Sequence, residues 1–358
     1  MNLYKLTYEI KSPVITPFQA DTIFGHLSWA IRYIKGEERL IGFLKSFNYR
    51  NHPIILSDGF PENFLPRPIL KPLKVEESEE LLDIYFGKEK KDKVIGLTVL
   101  KKLKNQPFIS WDIFKELEGY LSYFRLYQKV LCGLYCPIWF RRKPCALKDI
   151  MKCPIINPDS LIKCNDIIKN KESELVVHNT INRLTGKVQE PGGFFGEIET
   201  YYIPDEKIEI YIKNKEFSIK ELQELFQFIG QSGYGKDKSI GKGHLRLIEF
   251  KGYEFYEPQG GNGFMSLSSF IPAEDDSING YYEIITKYGK LGGDYSKSGF
   301  DGQKLNPFKK PLIMLKAGSS FFVSQKNGIH CGRLIQDVHH SNKIRHYGYA
   351  FPLRIKME

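Results

Sequence analysis

Residues 206–250 read EKIEIYIKNKEFSIKELQELFQFIGQSGYGKDKSIGKGHLRLIEF, and this stretch decides the fold. EKIEIYI (206–212) alternates apolar with polar side chains, the period of a strand. In FSIKELQELFQFIG (217–230), Ser218 and Glu221 form a capping box. Leu222, Leu225, Phe226 and Ile229 then recur at the spacing of one helical face, and Gly230 is the expected terminator. HLRLIEF (244–250) reads as a strand again. The order is strand, helix, Gly-rich loop, strand, and the loop (230–243) holds five glycines and three lysines.

Gly230-x4-Gly235-Lys236 imitates the start of a Walker A motif, but Asp237 stands where Ser or Thr would ligate magnesium. A P-loop also leads into a helix N-terminus, where the dipole favours phosphate. This loop leaves a helix C-terminus, the negative end, and the Rossmann reading fails by the same logic. The remaining reading is a loop whose glycines allow positive φ and close approach of another backbone. Gly233, Tyr234, Gly235, Lys236, Lys238, Ser239, Gly241, Lys242, Gly243 and His244 are then candidate contacts to single-stranded RNA. The lysines are spaced for successive phosphates and Tyr234 is available to stack on a base. A solvated loop with incidental lysines is the plain alternative.

The chain has 358 residues, enough for two domains. Fifty-two Lys and Arg against forty-two Asp and Glu give +10, a surplus that favours a polyanionic partner. No apolar run has the length of a membrane span, and the N-terminal residues lack a signal-peptide pattern, so the expectation is a soluble cytoplasmic protein. Cys132, Cys136, Cys145, Cys153, Cys164 and Cys331 contain no C-x-x-C pair. They match no zinc module and read as reduced buried thiols. Neither cofactor nor metal is expected.

LYKLTYEI (3–10) alternates as a strand. In residues 22–35, Ile23, Leu27, Ala30, Ile31 and Ile34 form one helical face, with Asp21 or Thr22 as N-cap. LPRP and LKPL read as extended segments, 74–93 as a mixed-charge surface stretch, and WDIFKELEGYLSYF (111–124) as a helix. Residues 141–197 read as loops with short strands, and 251–263 as a linker. FMSLSSF, GYYEIITKYG, PLIMLKAGSSFFV and YGYAFPLRIK beyond it indicate a strand-rich second unit.

The strand–helix–Gly-rich loop–strand unit closing with GKDKSIGKGHLRL resembles the RAMP superfamily of CRISPR proteins. ITPFQADTIFGHLSWAIRY (15–33), LSDGFPENFLPRP (56–68), HNTINRLTGKVQEPGGFF (178–195) and NPFKKPLIMLKAGSSF (306–321) are similar to segments of the fourth-subunit family of type III-A (Csm) effector complexes. The resemblance runs almost end to end. It implies an α+β fold of two ferredoxin-like (RRM-like) domains, 1–250 with a thumb inserted at about 170–200, and 251–358. It implies a non-catalytic cap that binds the repeat-derived 5′ tag of crRNA. The implied neighbours are the large polymerase-like signalling subunit and a backbone RAMP subunit, with target RNA met indirectly. The family pattern predicts Arg-Gly-Gly and an aromatic before the C-terminal strand, where this chain has Lys290-Leu291-Gly292-Gly293-Asp294.

Further candidates follow from the resemblance and from residue chemistry. Asp21 occupies the early loop where related backbone subunits carry an RNA-cleaving carboxylate, and otherwise caps the helix. His26 is a candidate RNA contact, or a general acid or base in the competing reading of a RAMP endoribonuclease that processes CRISPR RNA. Arg67 lies between two prolines in an extended loop. Asn179, Arg183, Thr185 and Lys187 lie in the thumb, where Arg and Lys pair with phosphate and Asn reads a base edge. Arg333 and Arg345 sit in a C-terminal run with His330, His339, His340 and His346, read as a basic surface or, more remotely, a metal site. Arg141, Arg142 and Lys143 form another basic cluster. An RRM-like RNA binder outside CRISPR is the third reading.

Overall fold

The computed structural model describes residues 1–48, 52–131, 171–182, 184–188, 193–203, 205–296, 306–323 and 331–358. Chain order begins β1 (Asn2–Ile10), α1 (Ala20–Lys35), α2 (Glu37–Lys45), β2 (Ile54–Leu56), β3 (Phe60–Pro61) and β4 (Phe64–Pro66). It continues α3 (Val75–Tyr85), α4 (Lys90–Lys104), β5 (Phe108–Ser110), α5 (Trp111–Glu116), β6 (Tyr120–Leu121) and α6 (Tyr123–Leu131). A hairpin of β7 (Lys171–Asn179) and β8 (Phe194–Tyr202) precedes β9 (Lys207–Asn214), α7 (Ile219–Ser232) and β10 (Leu245–Gly252). The rest is strands: β11 (Gly263–Ser266), β12 (Gly280–Tyr281), β13 (Ile284–Lys287), β14 (Leu312–Leu315), β15 (Ser320–Phe322), β16 (Gly332–Ile335), β17 (His346–Tyr349) and β18 (Pro352–Met357).

The first sheet has the order β10-β1-β9-β2, all neighbours antiparallel, with β3 also on β9. Its four main strands therefore lie fourth–first–third–second, with α1 and α7 as the crossovers. That is the ferredoxin-like arrangement that the family resemblance implies. The capping box forms: Ser218 Oγ accepts from the Glu221 N–H, and the Glu221 carboxylate accepts from the Ser218 N–H at 2.9 Å. Leu222, Leu225, Phe226 and Ile229 of α7, with Ile23, Leu27 and Ile31 of α1, bury against Leu6, Tyr8, Ile10, Ile210 and Ile212. Each fully buried side chain contributes about 1.5–3 kcal/mol.

The opposite face of this sheet is covered too. Trp111 Nε1 donates to the Tyr211 hydroxyl at 2.8 Å, and that hydroxyl donates to Glu209 at 3.0 Å. A second core joins Tyr211 and Ile55 to α3–α6 and to Met265, Leu267, Phe351, Leu353 and Ile355. The second sheet, β12-β15-β11-β18-β6, takes β6 from the middle of the chain, in parallel register with β18. Residues 251–358 are strand-rich as expected. Among their described residues the only helical turn is a short 3-10 segment, Gly293–Ser296.

Several local expectations change. α7 does not stop at Gly230 but runs to Ser232, with Gly233 at φ +84° as the cap. Gly230 instead lets the helix approach β10, since a Cβ there would lie 2.6 Å from the Leu245 carbonyl oxygen. The helix read over 111–124 breaks at Glu118 and Gly119, both in the left-handed region, and becomes α5, β6 and α6. The stretch read as mixed-charge surface folds into α3 and the start of α4. The residues at the N-terminus of α1 do not match the expected cap. Gln19 is the N-cap, with no side-chain cap bond of its own. The Ala20 N–H donates at 2.8 Å to Asp58, from the β2–β3 turn. Asp58 also accepts from the Ser269 hydroxyl at 3.0 Å, tying α1, the first sheet and the C-terminal segment together. Burial raises its carboxyl to about 6 against the donated hydrogen bonds.

Candidate nucleic-acid interface

The Gly-rich loop folds back on its own chain. The Tyr234 N–H donates to the Gly243 carbonyl and the Gly243 N–H to the Pro13 carbonyl, each at 2.8 Å. At Gly243 φ is +66°, and a Cβ would lie 2.0 Å from the Tyr234 carbonyl oxygen. A Cβ on Gly235 would lie 2.6 Å from the Thr16 side chain. The close approach these glycines permit is thus to the protein itself. Tyr234 is also not available for base stacking: it is 2% exposed, stacks on Phe18 at 4.7 Å and donates to the Pro17 carbonyl at 2.7 Å.

The lysines differ from one another. Lys236 pairs with Glu197, and Lys242 with Glu199, both carboxylates from β8 of the thumb hairpin. The hydrogen bond from Lys242 holds Glu199 below the usual carboxylate range. Two of the expected phosphate contacts therefore already hold anions. Lys238 is half-buried and among the described residues has no carboxylate partner, and burial lowers its ammonium. Ser239, Gly241 and His244 are exposed.

Beside the loop lies a cleft of about 1720 Å³. Residues 235–239 form one wall, the outward face of α1 from Asp21 to Arg32 another, and segments 287–293 and 333–346 the third. Ten Lys and Arg line it against five Asp and Glu, so its field favours a polyanion. Of the sequence candidates, Asp21, His26, Gly235, Lys236, Lys238, Ser239, Arg333 and Arg345 meet in this cleft. Arg333 faces Glu274 at 3.8 Å across exposed surface, and Arg345 donates to the Ile344 carbonyl at 3.2 Å.

His26 has a structural partner. Its Nε2 accepts the Gly235 N–H at 2.9 Å, and burial together with the Lys238 charge pushes the imidazole down to about 3. It anchors the loop as a neutral acceptor. Asp21 pairs with Lys287 at 3.2 Å, and its side chain is almost fully buried.

Other candidates lie elsewhere. Arg67 is half-buried with its guanidinium 5.2 Å from the Tyr123 ring centre, packed on α6 rather than presented on a loop. Asn179, Thr185 and Lys187 are exposed on the thumb, where Asn182 Oδ1 accepts from the Leu184 N–H at 2.9 Å to shape the turn. Arg183, Arg141, Arg142, Lys143, His330 and all the cysteines except Cys331 lie outside the described residues. Among the described residues no group of three metal-ligating side chains comes together. His339 hydrogen-bonds the Asn306 carbonyl at 2.7 Å and the Ser341 N–H at 3.0 Å.

Sequence reasoning missed much of the C-terminal wall. Lys287, Lys290 and Lys309 line the cleft, and Tyr288 presents a ring that is 74% exposed. The Gly-Gly pair in the 290–294 stretch packs closely on α1. Gly292 and Gly293 lie flat on Trp29, where a Cβ on Gly293 would fall 2.6 Å from the indole. Trp29 in turn stacks on Tyr33 at 5.5 Å, with the Arg32 guanidinium 5.0 Å from its ring centre.

No protein-family model matches the chain, and no curated protein matches it by sequence. No helix among the described residues is long and apolar enough to cross a membrane. Solved structures match its fold over its whole length. A chain of the Csm3–Csm4 subcomplex in the type III-A CRISPR-Cas interference complex is similar over 99% of this chain and 100% of its own, with TM-score 0.53 and 14% identity. A chain of the Csm1–Csm4 cassette, in complexes with pppApA and with AMPPNP, is similar over 99% of each chain, with TM-score 0.52 and 14% identity. The chain thus has the mixed α+β, two-sheet ferredoxin-like fold found in those assemblies.

Proposed function

We propose that this chain is a non-catalytic, RNA-binding cap subunit of a type III-A CRISPR interference complex, holding the repeat-derived 5′ tag of crRNA in the cleft beside the Gly-rich loop. The observation that carries the reading is the cleft itself: a basic groove walled by α1, the loop and the C-terminal strands, with an exposed tyrosine in it. Phosphate contacts supply affinity and salt dependence, while stacking and base-edge contacts supply preference for the tag. The full-length fold likeness supports the assembly context, because Csm4 is the component common to the Csm3–Csm4 and Csm1–Csm4 structures. The partners on this reading are the large signalling subunit and a backbone RAMP subunit.

The nuclease alternative draws no support from His26. A general acid or base works best with proton affinity near the operating pH, and this imidazole is held far below it as the acceptor for Gly235. The test is binding of 5′-tagged guide RNA by the chain co-expressed with its neighbouring backbone subunit. Native and scrambled tags are compared at two salt concentrations, and the bound RNA is run on a denaturing gel. Preference for the native tag with RNA intact is expected. Equal binding to both tags refutes the tag-specific role, and cut RNA that His26→Ala leaves uncut restores the nuclease.

A further inference from the structure

The floor of the cleft carries cations that no sequence motif marked. Lys287 reaches under the N-terminus of α1, with Nζ 3.2 Å from both the Asp21 carboxylate and Thr22 Oγ1, and it also donates to Gln19 Oε1. Lys309 Nζ donates to the Arg345 carbonyl at 3.0 Å, and among the described residues no carboxylate lies within ion-pair distance of it. An ammonium has three donors, so Lys309 retains capacity. His346 is 2% exposed. Its Nε2 is buried without a hydrogen-bond partner and faces Asp21 at 4.0 Å.

The charges on this floor do not cancel. Lys287 and Asp21 neutralise each other, and Asp58 already accepts from the Ala20 N–H at the N-terminus of α1, which leaves Lys309 as the uncompensated charge. His346 stays neutral, pushed down to about 4 by burial and by the Lys309 charge, and a neutral imidazole carries one N–H and one acceptor nitrogen. Burial also lowers Lys309 to about 8, which still leaves it mostly protonated near neutrality. A buried cation with spare donors beside an unpaired imidazole is an unfavourable arrangement for a site meant to stay empty. A phosphate oxygen accepts from both kinds of donor.

Resting on the RNA-binding reading above, we propose that Lys309 and His346 form an anion subsite at the cleft floor that takes one phosphate group of the bound RNA. The pair of Asp21 and Lys287 fixes the adjoining wall. The phosphate has two available sources, a 5′-terminal monophosphate or an internal linkage.

The experiment uses the chain with its neighbouring subunit and a panel of tag RNAs. One arm compares 5′-hydroxyl with 5′-monophosphate ends. The other replaces each linkage in turn by a neutral methylphosphonate. Wild type, Lys309→Gln and His346→Phe are titrated with each RNA, and thermal melts check folding. Lys309→Gln removes a buried charge, so it is expected to fold. The expected result is a roughly tenfold loss for one modified position in wild type, and no further loss at that position in Lys309→Gln. The position identifies the source. Wild-type RNA binding with Lys309→Gln and His346→Phe unchanged overturns the subsite alone. An equal loss at that position in wild type and in Lys309→Gln also overturns it. Failure of wild type to bind RNA overturns this proposal and the RNA-binding function together.

Discussion

Neutralising Glu199 should tighten RNA binding. Glu199 is fully buried on β8, accepts from Lys242 and from the Tyr201 hydroxyl at 2.9 Å, and has one oxygen without a hydrogen-bond partner. RNA running past the loop has to exchange this carboxylate for a phosphate before Lys242 adds anything. A hydrogen-bonded pair of this kind, discounted for the solvent that still reaches the lysine, is worth about 1–2 kcal/mol. Glu199→Gln keeps the shape and removes the competing charge, so affinity should rise by roughly 5- to 30-fold. A lysine freed to meet phosphate also releases one more counterion. The slope of log affinity against log salt should therefore steepen by about 0.7, the single-strand value. Fluorescence anisotropy with labelled tag RNA across a potassium chloride series measures both quantities. Tyr201→Phe is the control, because it disturbs Glu199 but leaves the ion pair, and it should change neither. If Glu199→Gln leaves affinity and slope at wild-type values in a folded protein, thumb carboxylate and RNA phosphate do not compete for Lys242.

The other predictions concern stability and stacking. Asp58→Ala leaves the buried Ala20 and Ser269 N–H groups without their acceptor and should lower unfolding free energy by about 2–4 kcal/mol in urea melts. Asp58 is raised to about 6 from 3.8, so the folded state holds its proton more tightly. Its contribution is fully present below about pH 4 and is lost as pH rises through 6. Wild type should thus fall relative to Asp58→Asn by up to about 3 kcal/mol between those limits, and a constant difference would contradict the burial argument. Gly243→Ala places a Cβ against the Tyr234 carbonyl at positive φ and should cost about 2–3 kcal/mol, with a melting temperature equal to wild type as the contrary result. Tyr288→Ala should weaken tag RNA by about 1–3 kcal/mol at constant salt slope, since a stacked base carries no charge. An unchanged affinity would remove Tyr288 from the interface.

The sequence by itself determined whatever rests on neighbours in the chain. Alternation specified β1 and β9, and the Ser218 and Glu221 pair specified where α7 begins. Each depends on contacts within a few residues, and each is visible as a period or a cap. α3 and α4 were hidden because their solvated faces are so densely charged that the apolar stripe of Leu81, Leu82, Tyr85, Val99 and Leu100 is diluted. The break at Gly119 was hidden because a glycine within helical periodicity signals a turn only when the chain is pulled into a sheet, here by β18.

Only the tertiary structure decided which charges are free. Lys242 and Glu199 are 43 residues apart, and Lys287 and Asp21 are 266 apart. No local pattern couples such pairs. Two of the three loop lysines, Lys236 and Lys242, are already neutralised by the thumb, while Lys309, which no sequence signal singled out, faces the cleft floor and donates to the Arg345 carbonyl. The physical reason is that a charge's availability is set by what folding brings within a few ångströms of it. Residue type and spacing fix the number of cations, and the packing of thumb, loop and C-terminal strands fixes which of them can meet RNA.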